Sequence, residues 1–299
     1  TTRLGKDVID LHDASLEVGG RTLRLTSLDK VMYPATETTK GEILSYYARA
    51  GETVLAHLAG RPVTRVRWPH GTGGESFFEK NLPSGAPSWL PRVQVHDVTY
   101  PLVDDLAQLT YLVNLNSIEL HVPQWRVADG EPLNPDRLVI DLDPGKPAGL
   151  HECARVALLL RERLDALGLE LYPVTSGSKG MQLYATLGGD LTSDQVRDLT
   201  QQLAQEMTQR HPDLVLWKMT KSLRPGKVFI DWSQNVAAKT TVCPYSMRGR
   251  EDPWVAAPRT WEEVEAGAED PDELEQLDIV QVLDRLDEHG DLLAPLLEP

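Results

Sequence analysis

Two carboxylates close the segment Arg137-Leu-Val-Ile-Asp141-Leu-Asp143-Pro-Gly145, an apolar run that a Pro-Gly turn then ends. Side chains alternate along an extended chain, so Asp141 and Asp143 share a face at a spacing of about 6 to 7 Å. Carboxylates placed this way can converge on a pair of divalent cations of the kind used for in-line phosphoryl transfer. Hard oxygen donors select magnesium or manganese. A third acid ends another apolar run, Val228-Phe-Ile-Asp231-Trp232, and is available as a further ligand. Asp-x-Asp alone also occurs in glycosyltransferases, in haloacid-dehalogenase-like phosphatases and in plain turns. The phosphatase pattern expects Thr or a similar residue two positions after its second acid, where this chain has Gly145.

Between two strand-like runs lies Thr175-Ser-Gly-Ser-Lys-Gly180-Met-Gln-Leu-Tyr184, a turn rich in glycine, hydroxyls and one ammonium. Exposed amides, serine oxygens and a lysine suit a triphosphate, although a simple hairpin turn would look the same. It is not a Walker loop, because the GxxxxGK[ST] spacing is absent and a strand follows rather than a helix. The formal charge of −15 argues against a polyanionic partner until its distribution is considered. Residues 262–299 hold 14 acids against Arg285, a net of −13, which leaves −2 for residues 1–261. Residues 217–250 instead carry a net of +6, with Asp231 their sole acid. Such a stripe suits phosphate contacts, the alternative being a solvated basic face.

These residues need a scaffold, and the hydrophobic periodicity predicts helices over 40–58, 150–168 and 192–210. Strands are predicted at 61–68, 137–143, 169–174, 181–187 and 227–232. The fold class is α/β. Strands 169–174 and 181–187 are joined by a short loop, so a mixed or antiparallel sheet flanked by helices is expected rather than a doubly wound one. Residues 1–258 read as the catalytic domain, in two parts that meet at about residues 130–131, the candidate acids lying in the second. Residues 259–299 read as an acidic, helical C-terminal appendage packed on it. The chain has 299 residues with 41% hydrophobic and 25% charged, ordinary globular usage, and no apolar run long enough to span a bilayer. The opening TTRLGKDVIDLHDASLEVGG lacks a charged-then-apolar leader pattern. With Cys153 and Cys243 far apart, a reduced, cytoplasmic and nucleoid-associated protein without structural zinc is expected.

Taken in order, IDLDPG, SGSKG and KVFIDWSQN followed by Cys243-Pro-Tyr-Ser-Met-Arg248 resemble the three motifs of the archaeo-eukaryotic primase superfamily. The likeness is to the polymerase domain of bacterial ligase D and its stand-alone relatives. It runs from Leu25-Thr-Ser-Leu-Asp-Lys-Val-Met-Tyr-Pro34 to Ala257-Pro-Arg-Thr-Trp261, with landmarks at Arg61-Pro-Val-Thr-Arg65-Val-Arg67-Trp, Phe77-Phe-Glu-Lys80 and His121-Val-Pro-Gln-Trp125. The resemblance implies a primase-like fold in which Asp141, Asp143 and Asp231 bind two divalent ions, with manganese favoured. It further implies that His121, Ser176, Lys179 and Arg248 hold a nucleoside triphosphate, with Gln182 and Gln234 close by. DNA contacts carried over are Lys30 and Lys40 to a downstream 5′-phosphate, Phe77 and Phe78 stacking on the template, Lys221 and Arg224 from a mobile basic loop, and Arg65, Arg67 and Lys80. Pattern alone would put both phenylalanines in the core.

Two departures matter. Gln182 stands where the family's SGSKGxH has histidine, and an amide donates a hydrogen bond without a charge. Between Leu90 and Tyr100 the chain has nine residues, where end-joining members carry a longer loop that bridges two DNA ends. The short loop favours filling gaps, so the first expectation is a template-dependent polymerase adding one or a few ribonucleotides at short gaps bearing a 5′-phosphate. The nearest competitor is an end-joining polymerase acting with Ku and an ATP-dependent ligase, since the chain has no recognisable ligase lysine motif. A catalytically decayed DNA-end binding module is the third reading. A monomer is expected.

Overall fold

A computed structural model describes residues 13–298. Residues 1–12, most of the segment that lacks a leader pattern, lie outside the described residues. Among the described residues seven α-helices are present: α1 (Lys40–Arg49), α2 (Gly51–Leu58), α3 (Leu106–Asn114), α4 (Leu150–Asp165), α5 (Ser193–Arg210), α6 (Trp261–Glu269) and α7 (Ile279–His289). Ten strands form the two principal sheets. They are β1 (Thr64–Arg67), β2 (Phe77–Glu79), β3 (Ser117–Val122), β4 (Arg137–Pro144), β5 (Tyr172–Thr175), β6 (Met181–Thr186), β7 (Val215–Leu216), β8 (Val228–Asp231), β9 (Thr241–Val242) and β10 (Ala257–Pro258). The first sheet has the order β9-β3-β1-β2 and the second β7-β8-β4-β6-β5-β10. All pairs are antiparallel except β7 with β8, which gives the mixed sheet expected from the sequence.

Alternation explains how β4 serves two purposes. Ile140 and Leu142 point to one face, where they pack with Cys153, Ala157 and Leu160 of α4 and Ala204 and Met207 of α5. Val139, Asp141 and Asp143 take the other face, which is apolar at Val139 and acidic toward the strand's end. The same logic governs β3, whose Ile118, Leu120 and Val122 join a core with Tyr46 and Tyr47 of α1 and Leu109 and Leu112 of α3. Glu119 and His121 therefore share the opposite face.

The segment 241–258 ties the two sheets together. β9 pairs with β3, Cys243 N donates to the Leu120 carbonyl (2.8 Å), and Ser246 Oγ accepts from Leu120 N (3.0 Å), while β10 pairs with β5. Residues late in the sequence thus complete the first sheet. Residues 259–298 are likewise integrated: Val264 and Leu274 lie in the core beneath the second sheet, and Leu277, Val282 and Leu283 in that beneath the first. No helix among the described residues is long and apolar enough to cross a membrane.

Candidate active site

The three acids predicted as ligands stand on adjacent strands. Asp141 of β4 lies directly opposite Asp231 of β8 on one side and Gln182 of β6 on the other. Directly opposed residues share a face, with Cα atoms about 4.5 to 5.5 Å apart, and Asp143 follows two positions along. Gly145 ends this strand against the 221–227 loop; a Cβ there would sit 2.2 Å from the Arg224 carbonyl oxygen, so only glycine permits the approach.

Each acid has a partner in the protein. Arg224 Nη1 donates to Asp143 Oδ2 (2.8 Å), and its guanidinium stacks on Phe229. Asp231 accepts from Ser233 N (3.1 Å), Ser233 Oγ (2.5 Å) and Gln234 Nε2 (3.1 Å). Burial first, then the charges of Asp231 and Asp143, push the Asp141 carboxyl up to about 7 against the hydrogen bond from Gln182. As these side chains stand, no group of three or more His, Cys, Asp or Glu among the described residues is arranged to hold a metal ion. The donor set nevertheless fits hard divalent cations. Three mutually repelling carboxylates occupy neighbouring positions of one face, a repulsion that a divalent cation would relieve.

Beside the acids a cavity of about 710 Å³ is lined by Asp141, Asp143, Ser176, Ser178, Lys179, Gln182, Arg248, Arg250, Glu251 and Trp254. The turn between β5 and β6 forms one wall. Ser176 is buried, its N–H donating to the Gly180 carbonyl (2.9 Å), and its Oγ accepts from the N–H groups of Ser178 and Gly180 (both 3.3 Å). Lys179 is exposed and makes no hydrogen bond or ion pair within the described residues. Arg248 is held from both sides, Nη1 donating to the Ser176 carbonyl (2.7 Å) and Nε facing Glu119 Oε1 (3.2 Å).

Glu119 is a site residue that the sequence reading did not single out. Its buried carboxylate also meets His121 Nε2 (2.7 Å) and the Gly249 N–H (2.9 Å). Burial alone would raise it, but the His121 hydrogen bond, the Arg248 charge and the Gly249 N–H prevail and hold it at about 2. The available signal was Glu119-x-His121, two polar residues on one face of an otherwise apolar strand. Arg250, donating to Ser178 Oγ (3.0 Å), was legible only as the last member of the basic 217–250 stripe.

The residues expected to touch DNA separate into groups. Phe77 (43%) and Phe78 (57%) are exposed on the edge strand β2, not buried as pattern alone suggests. Phe78 meets His121 edge to face, with centroids 6.2 Å apart. Strand alternation sends Phe77 to the opposite face, the one that carries Arg67 and Arg65. Arg65 is fully buried, bonded to Glu79 Oε2 (3.1 Å) and the Asn81 carbonyl (2.7 Å), because it sits opposite core-facing Leu120. Arg67 is occupied by Glu79 Oε1 and the Leu115 carbonyl (both 2.7 Å). Both arginines thus brace the strand through Glu79, Arg65 buried and Arg67 partly exposed. Lys80 lies away from the acids, on a smaller cavity with Tyr100 and Trp125. Lys221 is exposed at the start of a short 3₁₀ turn, Lys221–Leu223.

Lys30 and Lys40 form a separate basic corner at the N-terminus of α1, where Lys40 N donates to the Lys30 carbonyl (2.8 Å). Burial, then the Lys30 charge, lowers the Lys40 ammonium to about 8. An anion would relieve that repulsion. The nine-residue segment after Leu90 includes most of a tight hairpin, Arg92–Val95 with Val98–Pro101, turning at His96-Asp97.

Known proteins resemble this chain in sequence and fold. The sequence profile described as "LigD, primase-polymerase domain" matches residues 39–293. This chain belongs to the LigD primase-polymerase family. Among LigD relatives, the multifunctional non-homologous end joining protein LigD of Mycolicibacterium smegmatis is 50% identical over 278 residues, covering 92% of this chain and 36% of that protein. The bifunctional non-homologous end joining protein LigD of Bacillus subtilis is 35% identical over 245 residues, 82% of this chain and 40% of that one. The chain thus spans little more than a third of these LigD proteins. Among solved structures, the polymerase domain of Mycobacterium tuberculosis ligase D in complex with DNA superposes with a TM-score of 0.87 at 47% identity, covering 92% of this chain and 98% of that one. The family resemblance and the α/β, primase-like fold expected from the motifs are therefore borne out, and membership implies a nucleotidyltransferase.

Proposed function

We propose that this chain is a template-dependent polymerase domain that extends a primer by one or a few nucleotides, preferably ribonucleotides, at DNA breaks and gaps bearing a 5′-phosphate. One observation carries the reading. Asp141 and Asp143, with Asp231 directly opposite Asp141 on the adjacent strand, border a cavity whose lining includes Ser176, Lys179 and Arg248. The reaction joins the primer 3′-oxygen to the α-phosphorus and releases pyrophosphate. The acids would hold two manganese or magnesium ions, which lower the pKa of the attacking hydroxyl and offset the leaving group's charge. Lys179, Arg248 and His121 bind the triphosphate, Arg248 and His121 both oriented by Glu119. Gln182 supplies a neutral contact where relatives supply a cation, Phe78 stacks on a template base, and Lys30 with Lys40 receives the 5′-phosphate.

The end-joining names of the LigD relatives favour break repair by that route, with a ligase and Ku supplied by other domains or proteins. Filling gaps within one duplex is the second reading, favoured by the tight 92–101 hairpin. Primer extension on a short-gapped duplex, with manganese and either nucleotide type, tests the activity. Templated addition is expected that is lost in Asp141→Ala/Asp143→Ala and stimulated by a 5′-phosphate in wild type but not in Lys30→Ala/Lys40→Ala. Phosphate-dependent DNA binding without addition would instead indicate a decayed end-binding module. An assay joining two separate ends distinguishes the two polymerase readings.

A further inference from the structure

The turn that walls the nucleotide cavity is fastened from outside by a residue of the acidic C-terminal segment. Gln276 Oε1 accepts from the Gly177 N–H (2.7 Å), and its Nε2 donates to the Gly180 carbonyl (3.2 Å). One amide therefore bridges both ends of the Gly177–Gly180 turn. Gly177 takes φ of +67°, and a Cβ there would lie 2.6 Å from Arg248 Cγ and 2.8 Å from Val255 backbone, so the turn has no slack against its neighbours. Gln276 is itself fixed. The preceding Glu275 carbonyl accepts from Arg259 Nη1 (2.7 Å), and the following Leu277 is buried and paired with Val255.

Resting on the nucleotide-site reading above, we infer that Gln276 is a positioning residue for the incoming triphosphate. It fixes the turn so that Ser178 and Lys179 are presented to the phosphates without an ordering step on binding. Because Gln276 occupies the Gly177 N–H, that amide is not a phosphate donor; binding falls to the side chains of Ser178 and Lys179 with Arg248. The C-terminal segment then determines nucleotide affinity without touching the nucleotide.

The test compares wild type with Gln276→Met, which keeps the length of the side chain and removes both polar atoms, and Gln276→Glu, which keeps an acceptor for Gly177. Binding of manganese–UTP is measured by calorimetry, alongside single-nucleotide extension and thermal melting. For Gln276→Met, the dissociation constant and the nucleotide KM should rise about tenfold with kcat little changed, and Gln276→Glu should recover part of the loss. Equal manganese–UTP affinity in wild type and Gln276→Met overturns this assignment alone. So does a lowered melting temperature with unchanged KM, the mark of a purely structural bond. Failure of wild type to bind manganese–UTP overturns both this assignment and the nucleotide-site reading.

Discussion

Glu119 is buried and Asp141 half-buried, and their acidities move in opposite directions because cations and N–H donors surround one and carboxylates the other. Glu119, at about 2 against an ordinary 4.5, contributes stability that is present above the ordinary value and lost as pH falls through the lower one. Asp141 does the reverse. Between 3.8 and about 7 the unfolded chain has released a proton that the fold retains, so the metal-free fold weakens across that window. Asp141→Asn is therefore expected to be nearly neutral at pH 4 and stabilising by on the order of 2 kcal/mol at pH 8 in urea titrations without metal. Glu119→Gln retains an acceptor for Gly249 but removes the charge facing Arg248. Its kcat/KM for nucleotide should fall about 10- to 100-fold in single-nucleotide extension, with wild-type DNA binding. Glu119 was legible only as half of a two-residue alternation, since its partner Arg248 lies 129 positions away in sequence.

The 221–227 loop is the element whose position bears most directly on metal binding. Its Arg224 rests on Asp143, and the pair is partly exposed, worth about 1 kcal/mol or less. Arg224→Ala should thus tighten manganese binding to the DNA-free protein up to about fivefold by calorimetry while slowing primer extension, two effects of opposite sign from one substitution. Motif-bearing elements were the legible ones: IDLDPG, SGSKG and VFID fall on β4, the β5–β6 turn and β8. Periodicity joined 40–58 into one helix, whereas α1 and α2 part at Ala50, where a Cβ on Gly51 would come 2.8 Å from Leu106 Cδ1. That constraint comes from α3, beyond any local window. Arg65 and Arg67 likewise looked available to phosphate because their partner Glu79 belongs to another strand.

At the scale of the molecule, the acidic residues 259–298 are part of the packing and reach the Gly177–Gly180 turn through Gln276. They bury Val264, Leu274, Leu277, Val282, Leu283, Leu293 and Leu296. A chain ending at residue 258 would expose the matching core at about 1.5 to 3 kcal/mol per large side chain, a sum comparable to the whole stability of an ordinary domain. That truncated chain is expected to give no cooperative thermal transition by circular dichroism; a native-like melt would show the segment to be dispensable. The acidic charge and the basic 217–250 stripe also divide the molecule into repelling and attracting regions for a polyanion. The stitching of both sheets by segment 241–258 has a mechanical corollary. His121 and Glu119 ride on one jaw and the three aspartates on the other, so the clearance across the proposed nucleotide site is set by the seam. Shimming that seam, by altering Ser246 or its contact with Leu120, would retune substrate fit with both jaws intact, which makes the seam rather than the cavity wall the natural place to adjust selectivity.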